Sequence, residues 1–276
     1  MAVAEKGKFQ GNYTVTHENC KERMATLVLA HRGAVEGGAE ASSIGAFDAA
    51  RRLGADGVEL DVRRSADGAL VVVHDQKVPG GDRVANLAAA DLPPGMPLLA
   101  DVLAACEGLV VDVELKHDPG DDPDRRLAAA LAQALAGARP MEAAAPGRSS
   151  RSAGVLVSSF DAASLEAVRE RAPAVPTGLL VQWTGDPWVA LDAAVAHRCA
   201  AVHPFVTQVD QALVAEAHRR GLAVNVWTVN ADADLVAMVS MGVDAVITDR
   251  VPAALAALGR TRRNGGRGVT SSTIGA

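Results

Sequence analysis

Cysteine is scarce in this chain: three among 276 residues, at positions 20, 106 and 199, with no CxxC pair. An odd count without ligand-like spacing argues against a disulfide framework and against a structural zinc site. Long apolar runs are missing too, and none approaches the ~18 residues that span a bilayer. A basic excess is absent, since 27 Lys and Arg face 33 Asp and Glu for a net charge of −6. A broad nucleic-acid-binding surface is therefore not expected. Residues 1–9 carry Glu5, Lys6 and Lys8 and no apolar stretch, so no secretory signal is read and the cytoplasm is the expected compartment. Lysine is rare, at 6, 8, 21, 77 and 116 only, and aromatic residues are 3% of the chain.

What is present is ordinary globular material, 49% hydrophobic and 22% charged. Nine short β-rich runs stand at 27–30, 57–62, 69–74, 109–115, 154–158, 177–181, 200–202, 222–227 and 243–248. Helix-like apolar spacing fills segments such as 43–53, 125–135, 162–171, 212–220 and 231–241. Strand–helix alternation implies a parallel sheet covered by helices. One link does not fit, because six residues, Arg63 to Gly68, are too few for a parallel crossover. Asp67-Gly68 suits a hairpin turn. Setting the returning strand aside leaves eight crossover-joined strands, an α/β chain of the (β/α)8 TIM-barrel type with a β-hairpin return after strand two. A doubly wound sheet is the alternative, but the Gly-rich fingerprint after strand one is missing. Residues 1–24 read as a leader, 25–258 as the barrel and 259–276 as a flexible Gly/Arg/Ser tail.

Active sites of such barrels form at the C-terminal strand ends, and here those ends are polar: His31-Arg32-Gly33, Glu59-Leu60-Asp61, His74-Asp75, Glu114-Leu115-Lys116, Trp227-Thr228-Val229-Asn230 and Thr248-Asp249. Glu59 and Asp61 are two apart on a strand and face one side, as do Glu114 and Lys116. Like charges aimed into a barrel need a partner. A hard divalent cation, Mg²⁺ or Ca²⁺, on the three carboxylates would supply it. A buried ion-pair network among Glu59, Asp61, Glu114, Arg32 and Lys116 would do so equally. The hairpin returns His74 toward the acids, and His31 faces the same space, which suits paired acid–base work near neutral pH. In a chain that favours arginine, a compact ammonium at 116 points to a phosphate or metal neighbourhood.

These residues resemble the glycerophosphodiester phosphodiesterase family. The resemblance rests on Ala30-His31-Arg32-Gly33, on Gly54 through Val62, on Asp67-Gly68 and on Val72-Val73-His74-Asp75. It continues through Glu114-Leu115-Lys116, Ser158-Ser159-Phe160-Asp161, Val226 through Asn230 and Gly242 through Asp249, in the family's order and over nearly the whole barrel. It implies a TIM barrel that hydrolyses glycerophosphodiesters to glycerol 3-phosphate and an alcohol. It implies that Glu59, Asp61 and Glu114 hold a divalent metal and that His31 and His74 form the acid–base pair. Arg32 and Lys116 would lie near the phosphate, and Trp227 would line the glycerol or alcohol side. In the family the nucleophile is thought to be the substrate's own glycerol hydroxyl, passing through a cyclic phosphate.

The chain departs from the family pattern in two places. Ala41 stands where the family has Glu, with Glu40 one position early. Residues 76–97 read as a brief Gly/Pro-rich loop, followed by a helix at 98–106, where relatives often carry an inserted subdomain. His203-Pro204 reads as a pocket or a turn element at the mouth, His117 as peripheral, and His197 and His218 as surface residues. Trp183 and Trp188 flank the Gly185-Asp186-Pro187 loop, and Cys106 and Cys199 read as small apolar residues. A small-molecule phosphodiester is the expected partner. A lysophospholipase D-like phosphodiesterase and a non-catalytic barrel that binds phosphorylated ligands are the two alternatives. The sequence leaves open the alcohol, Mg²⁺ against Ca²⁺, which histidine is the acid, and the oligomeric state.

Overall fold

A computed structural model describes residues 26–35, 38–116, 125–137 and 153–260. His117, the leader at 1–24 and the tail beyond residue 260 lie outside the described residues. Nine strands and eight helices alternate along them: β1 (Leu27–His31), α1 (Ile44–Leu53), β2 (Gly57–Arg64), β3 (Leu70–Val72), α2 (Leu99–Ala105), β4 (Val110–Leu115), α3 (Arg126–Leu135), β5 (Gly154–Ser159), α4 (Ala162–Arg171), β6 (Thr177–Leu180), α5 (Pro187–Ala196), β7 (Ala201–His203), α6 (Gln211–Arg219), β8 (Ala223–Val226), α7 (Asp232–Met241), β9 (Ala245–Thr248) and α8 (Val251–Ala257).

Eight of the strands are parallel and close on themselves. Their order is β1-β9-β8-β7-β6-β5-β4-β2, and β1 pairs with β2 to shut the ring. This is the (β/α)8 barrel expected. The ninth strand, β3, runs antiparallel to β2 outside the ring, with Val62 opposite Val72 and Arg64 opposite Leu70. The hairpin turn is held from within, since Ser65 Oγ donates to Asp67 Oδ1 at 2.5 Å and accepts from the Ala69 N–H at 2.8 Å.

Strand alternation separates two apolar layers. Leu29, Val110, Ala245 and Ile247 form a small cluster on the inner face. The larger cluster packs the outer strand faces, through Val58, Leu60, Val113, Val157 and Val246, against helix residues such as Phe47, Leu131 and Leu191. Helix starts follow side-chain capping: Ser43, Asp161, Asp186 and Asp210 each accept a backbone N–H of the first turn. Helices α5 and α8 each carry a proline at their start. Pro187 and Pro252 sit in their first turns, where a missing N–H costs nothing. The Gly185-Asp186-Pro187 loop is therefore a helix start, and Trp188 lies on the first turn of α5.

Two further expectations need correction. Segment 76–97 is not a bare loop: it carries two 3₁₀ turns, Val84–Asn86 and Ala89–Asp91. Val71, Val73, Val78 and Val84, backed by Leu87, Leu92, Met96 and Leu98, give it a core of its own. Gly259 and Arg260, assigned to the tail by sequence, are described with the barrel, and Arg260 grips Asp56 with two contacts of 2.6 and 2.8 Å. Asp56 also accepts the Val28 N–H at 2.9 Å, so one carboxylate ties Arg260 to strand β1.

Candidate functional site

His31 ends β1 in register with Glu59 of β2. The chain then turns sharply. Arg32 (φ +55°) and Gly33 (φ +82°) are both left-handed, a conformation that strains a side-chain-bearing residue by roughly 1–3 kcal/mol. A Cβ on Gly33 would stand 2.7 Å from the backbone of Ala46 in α1, so only glycine fits there. The turn brings the Arg32 N–H to 3.2 Å from Glu59 Oε2 and its Nε to 3.0 Å from Asp61 Oδ2.

Glu59, Asp61 and Glu114 converge, offering one oxygen each within 4.8 Å of one another. The parallel register sets Asp61 beside Glu114. Lys116 bridges them, with Nζ 2.8 Å from Asp61 Oδ1 and hydrogen-bonded to Glu114 Oε1. Burial, with Asp61 and Glu114 adding repulsion, pushes Glu59 well above the usual carboxylate range. Burial likewise raises Glu114, against the pull of Lys116. At Asp61 burial acts upward, but Lys116 and Arg32 outweigh it and hold the carboxyl low. Both the ion-pair network and the cation-sized carboxylate cluster of the sequence reading are thus present.

The acidic trio fits a divalent cation on its own chemistry. Both Asp61 oxygens are fully buried without an aligned hydrogen bond, the Arg32 and Lys116 contacts being charge pairs of unfavourable angle. Three hard oxygen donors are the set Mg²⁺ or Ca²⁺ takes. Two raised carboxyls beside an ionised one mark a cluster that two side-chain cations leave short of positive charge.

Each histidine at the mouth is held by a carboxylate at the same ring atom. His31 Nδ1 lies 2.7 Å from Asp249 Oδ1, and His74 Nδ1 lies 2.8 Å from Asp75 Oδ1. A carboxylate that accepts at Nδ1 places the proton there and leaves Nε2 for chemistry. His31 Nε2 points inward, 3.9 Å from Glu59 Oε2. His74 is more open, its side chain 42% exposed, and burial holds it below the ordinary imidazole value against the opposing pull of Asp75. Asp249 is itself oriented, since Asn230 Nδ2 donates to its Oδ2 at 2.6 Å and Asn230 Oδ1 accepts the Asp249 N–H at 3.0 Å. The hydrogen bond from His31 keeps Asp249 low. Asp249 and Asn230 were visible in sequence only as polar strand-end residues. The signal that assigns them is barrel closure, which pairs Ala30 of β1 with Thr248 of β9.

Trp227 closes the opposite side. It lines one cavity with His31, Glu59 and Glu114, and its ring meets Phe160 and Phe205 edge-on at 5.6 and 5.2 Å. Its indole N–H donates to the His203 carbonyl at 2.8 Å. His203 itself is fully buried, so it belongs to the floor of that cavity and not to an exposed turn. A Cβ on Gly178 would come within 2.4 Å of His203 Nε2, so glycine makes room for the ring. Asn225 Nδ2 lies 3.0 Å from the same nitrogen, and His203 Nδ1 lies 3.4 Å from Asp112 Oδ2.

The other singled-out residues lie apart. Glu40 is exposed; its backbone carbonyl accepts from Ser43, and its carboxylate is not in the acidic trio. His218 is half-buried and pairs with Asp244 at 2.7 Å, and His197 caps α5. Cys106 and Cys199 are buried free thiols. Among the described residues no helix is long and apolar enough to cross a membrane.

Comparison with known proteins gives a consistent result. Residues 31–253 match the Glycerophosphoryl diester phosphodiesterase family. A glycerophosphodiester phosphodiesterase of Caldanaerobacter subterraneus is 32% identical over 254 residues, covering 82% of this chain and 95% of that protein. Two solved structures share the fold. A phosphodiesterase of Oleispira antarctica, in complex with the product sn-glycerol-3-phosphate, aligns with a TM-score of 0.73 at 22% identity, over 85% of this chain and 97% of that one. A glycerophosphodiester phosphodiesterase of Thermotoga maritima aligns with a TM-score of 0.65 at 22% identity, over 82% and 95%.

Proposed function

The chain belongs to the Glycerophosphoryl diester phosphodiesterase family, and from that membership we propose that it hydrolyses glycerophosphodiesters to glycerol 3-phosphate and an alcohol. One observation carries the reading at this chain's own residues: two imidazoles, each with Nδ1 fixed by a carboxylate, stand at a mouth whose other wall is a buried carboxylate trio with Arg32 and Lys116.

A phosphodiester is an anion, and its transition state gathers further charge on the non-bridging oxygens. Arg32 and Lys116 supply fixed positive charge beside that position. Glu59, Asp61 and Glu114 would hold Mg²⁺ or Ca²⁺, which when bound supplies Lewis acidity to a phosphoryl oxygen. One imidazole Nε2 takes the proton of the attacking hydroxyl, and the other delivers a proton to the departing alkoxide. Asp249 and Asp75 stabilise whichever ring is transiently charged. Trp227, with Phe160 and Phe205 behind it, packs the carbon part of the substrate and keeps water off that side.

The test is release of glycerol 3-phosphate from glycerophosphocholine and glycerophosphoethanolamine, with Mg²⁺, with Ca²⁺ and with chelator, for wild type and His31→Ala. Cation-dependent release abolished by His31→Ala supports the reading. No release from either diester under any cation overturns it and favours a barrel that only binds phosphorylated ligands.

A further inference from the structure

The two histidines at the mouth are delivered by different means. Strand β2 carries β4 along one edge, from Gly57 to Val62. Its other edge is shared: β1 takes it as far as Glu59, and β3, running the opposite way, takes it from Arg64 back to Val62. His31 and His74 stand where these two strands approach each other. Their backbones are not equally held. His31 is the last residue of β1, inside the closed ring. His74 lies beyond the end of β3. The last ladder bond before it runs from the Val73 N–H to the Asp61 carbonyl at 3.0 Å. The next carbonyl along that edge, that of Glu59, already accepts the Arg32 N–H at 2.9 Å, so β3 has no ladder left to extend. Packing restrains His74 less as well, since its side chain is 42% exposed against 21% for His31.

Arg63 holds the His74 main chain instead. Its Nε and Nη2 both donate to the His74 carbonyl, at 2.9 and 2.8 Å. Two donors of one rigid, planar group fix the direction of that oxygen as well as its distance, which a single ammonium on a flexible stem does not. Arg63 is itself anchored: its backbone pairs with Val71 in the β2–β3 ladder, and its side chain is half-buried. It stands two residues beyond Asp61 on the same strand. The guanidinium therefore ties the second imidazole to the strand that carries Glu59 and Asp61. It also favours the carboxylate that orients the ring. The hydrogen bond with His74 is the main cause that holds Asp75 low, and the charges of Arg32 and Arg63 add to it.

We propose that Arg63 is a positioning residue for His74: its two-pronged grip on the His74 carbonyl replaces the ladder that β3 cannot extend, and sets the imidazole at a fixed distance from the carboxylate trio. The inference rests on the phosphodiesterase reading above, in which His74 is one of the two proton-transfer groups. Arg63 acts through the His74 main chain. Its loss should misplace the ring without removing a group that carries a proton, and should leave His31, seated in the barrel, where it is.

The experiment measures kcat and KM for glycerol 3-phosphate release, together with proton–nitrogen correlation spectra of the imidazole rings. It does so in wild type, Arg63→Met, Arg63→Lys, His74→Ala and the double variant of Arg63→Met with His74→Ala. In Arg63→Met the expected result is a fall in kcat of about 10- to 100-fold with KM little moved. Arg63→Lys, which keeps the charge and one donor, should fall less. With His74→Ala already in place, Arg63→Met should cost no more than about 2-fold, because no ring is left to misplace. In the spectra, Arg63→Met should shift or broaden the His74 ring signals, identified by their loss in His74→Ala, and leave those of His31 in place. A loss of equal size with and without His74 overturns the proposal and makes Arg63 a structural residue of the hairpin. An unmoved His74 signal in Arg63→Met overturns it too. If Arg63→Met does not fold, Arg63→Lys carries the same cycle and the same spectra. If wild type cleaves no glycerophosphodiester, the phosphodiesterase reading falls, while the ring signals still decide whether Arg63 holds His74.

Discussion

Replacing His203 by glutamine should change how stability depends on pH more than it changes stability itself. The imidazole is fully buried, and burial holds it down to about 3 against an ordinary 6.5. A histidine lowered in the folded state adds stability that is present above 6.5 and lost as pH falls toward 3, because the unfolded chain takes the proton first. The slope is about 1.4 kcal/mol per pH unit, so the imidazole by itself withdraws about 2 kcal/mol at pH 5 relative to pH 7.5. Asp112, 3.4 Å away, works in the other direction. Burial raises it from 3.8 to about 7, so its contribution is present below 3.8 and lost as pH rises through 7. In wild type the two slopes nearly cancel between about 4 and 6.5, since folding leaves the pair's proton count unchanged. In His203→Gln the carboxyl's slope stands alone, while the Gln oxygen can still accept from Asn225. Urea unfolding at pH 5 and pH 7.5 reads the difference. The variant should recover about 2 kcal/mol on wild type at the lower pH, whatever packing it loses at both. A gap between the two proteins that is the same at pH 5 and 7.5 would refute the reasoning and mean that the imidazole is charged in the folded protein.

Other outcomes follow from the same geometry. His31→Ala and His74→Ala should each lower kcat by about 10²- to 10⁴-fold in the glycerol 3-phosphate assay, with far-UV circular dichroism unchanged. Asp249→Asn keeps the shape but frees the His31 ring to flip; kcat should fall about 10- to 100-fold with KM little moved, measured by steady-state kinetics. Gly33→Ala forces a Cβ to 2.7 Å from Ala46 at a positive φ, and should cost more than about 1 kcal/mol in urea unfolding. Added Mg²⁺ or Ca²⁺ should raise the Tm of wild type by linkage, and Glu114→Gln should remove most of that rise in differential scanning fluorimetry.

Most of the barrel was legible because its strands are short, β-rich and separated by turn residues, and because the six residues between the β-rich runs at 57–62 and 69–74 admit only a hairpin. Helices α5 and α8 escaped the periodicity reading for one reason: Pro-Trp-Val-Ala-Leu and Val-Pro-Ala-Ala-Leu are apolar on most faces, so no polar side marks the outer surface. Their starts were nonetheless written in Asp186-Pro187 and Pro252. The compact segment 76–97 was misread because Gly80, Gly81, Pro93, Pro94 and Gly95 dominate its composition. Val78, Val84, Leu87 and Leu92 recur at no helical or strand period, and they cluster only once Val71 and Val73 are placed beneath them.

The site divides along the same line. Glu59 with Asp61, and Glu114 with Lys116, are neighbours on one strand, so a two-residue spacing placed each pair on one face before any topology was known. His74 and its carboxylate are adjacent in sequence. The partner of His31 is 218 residues away, and nothing local marks it. What marks it is the ring: a closed barrel must set its last strand beside its first, and β9 ends in Thr248-Asp249 where β1 ends in Ala30-His31. His203 shows the converse. Its place at the end of β7 suggested the mouth, yet the absence of a side chain at Gly178 lets the ring turn inward beneath the acidic cluster. Spacing along one strand therefore assigned the charges, while the groups that orient them came from closure, which the sequence encodes only as a count of eight.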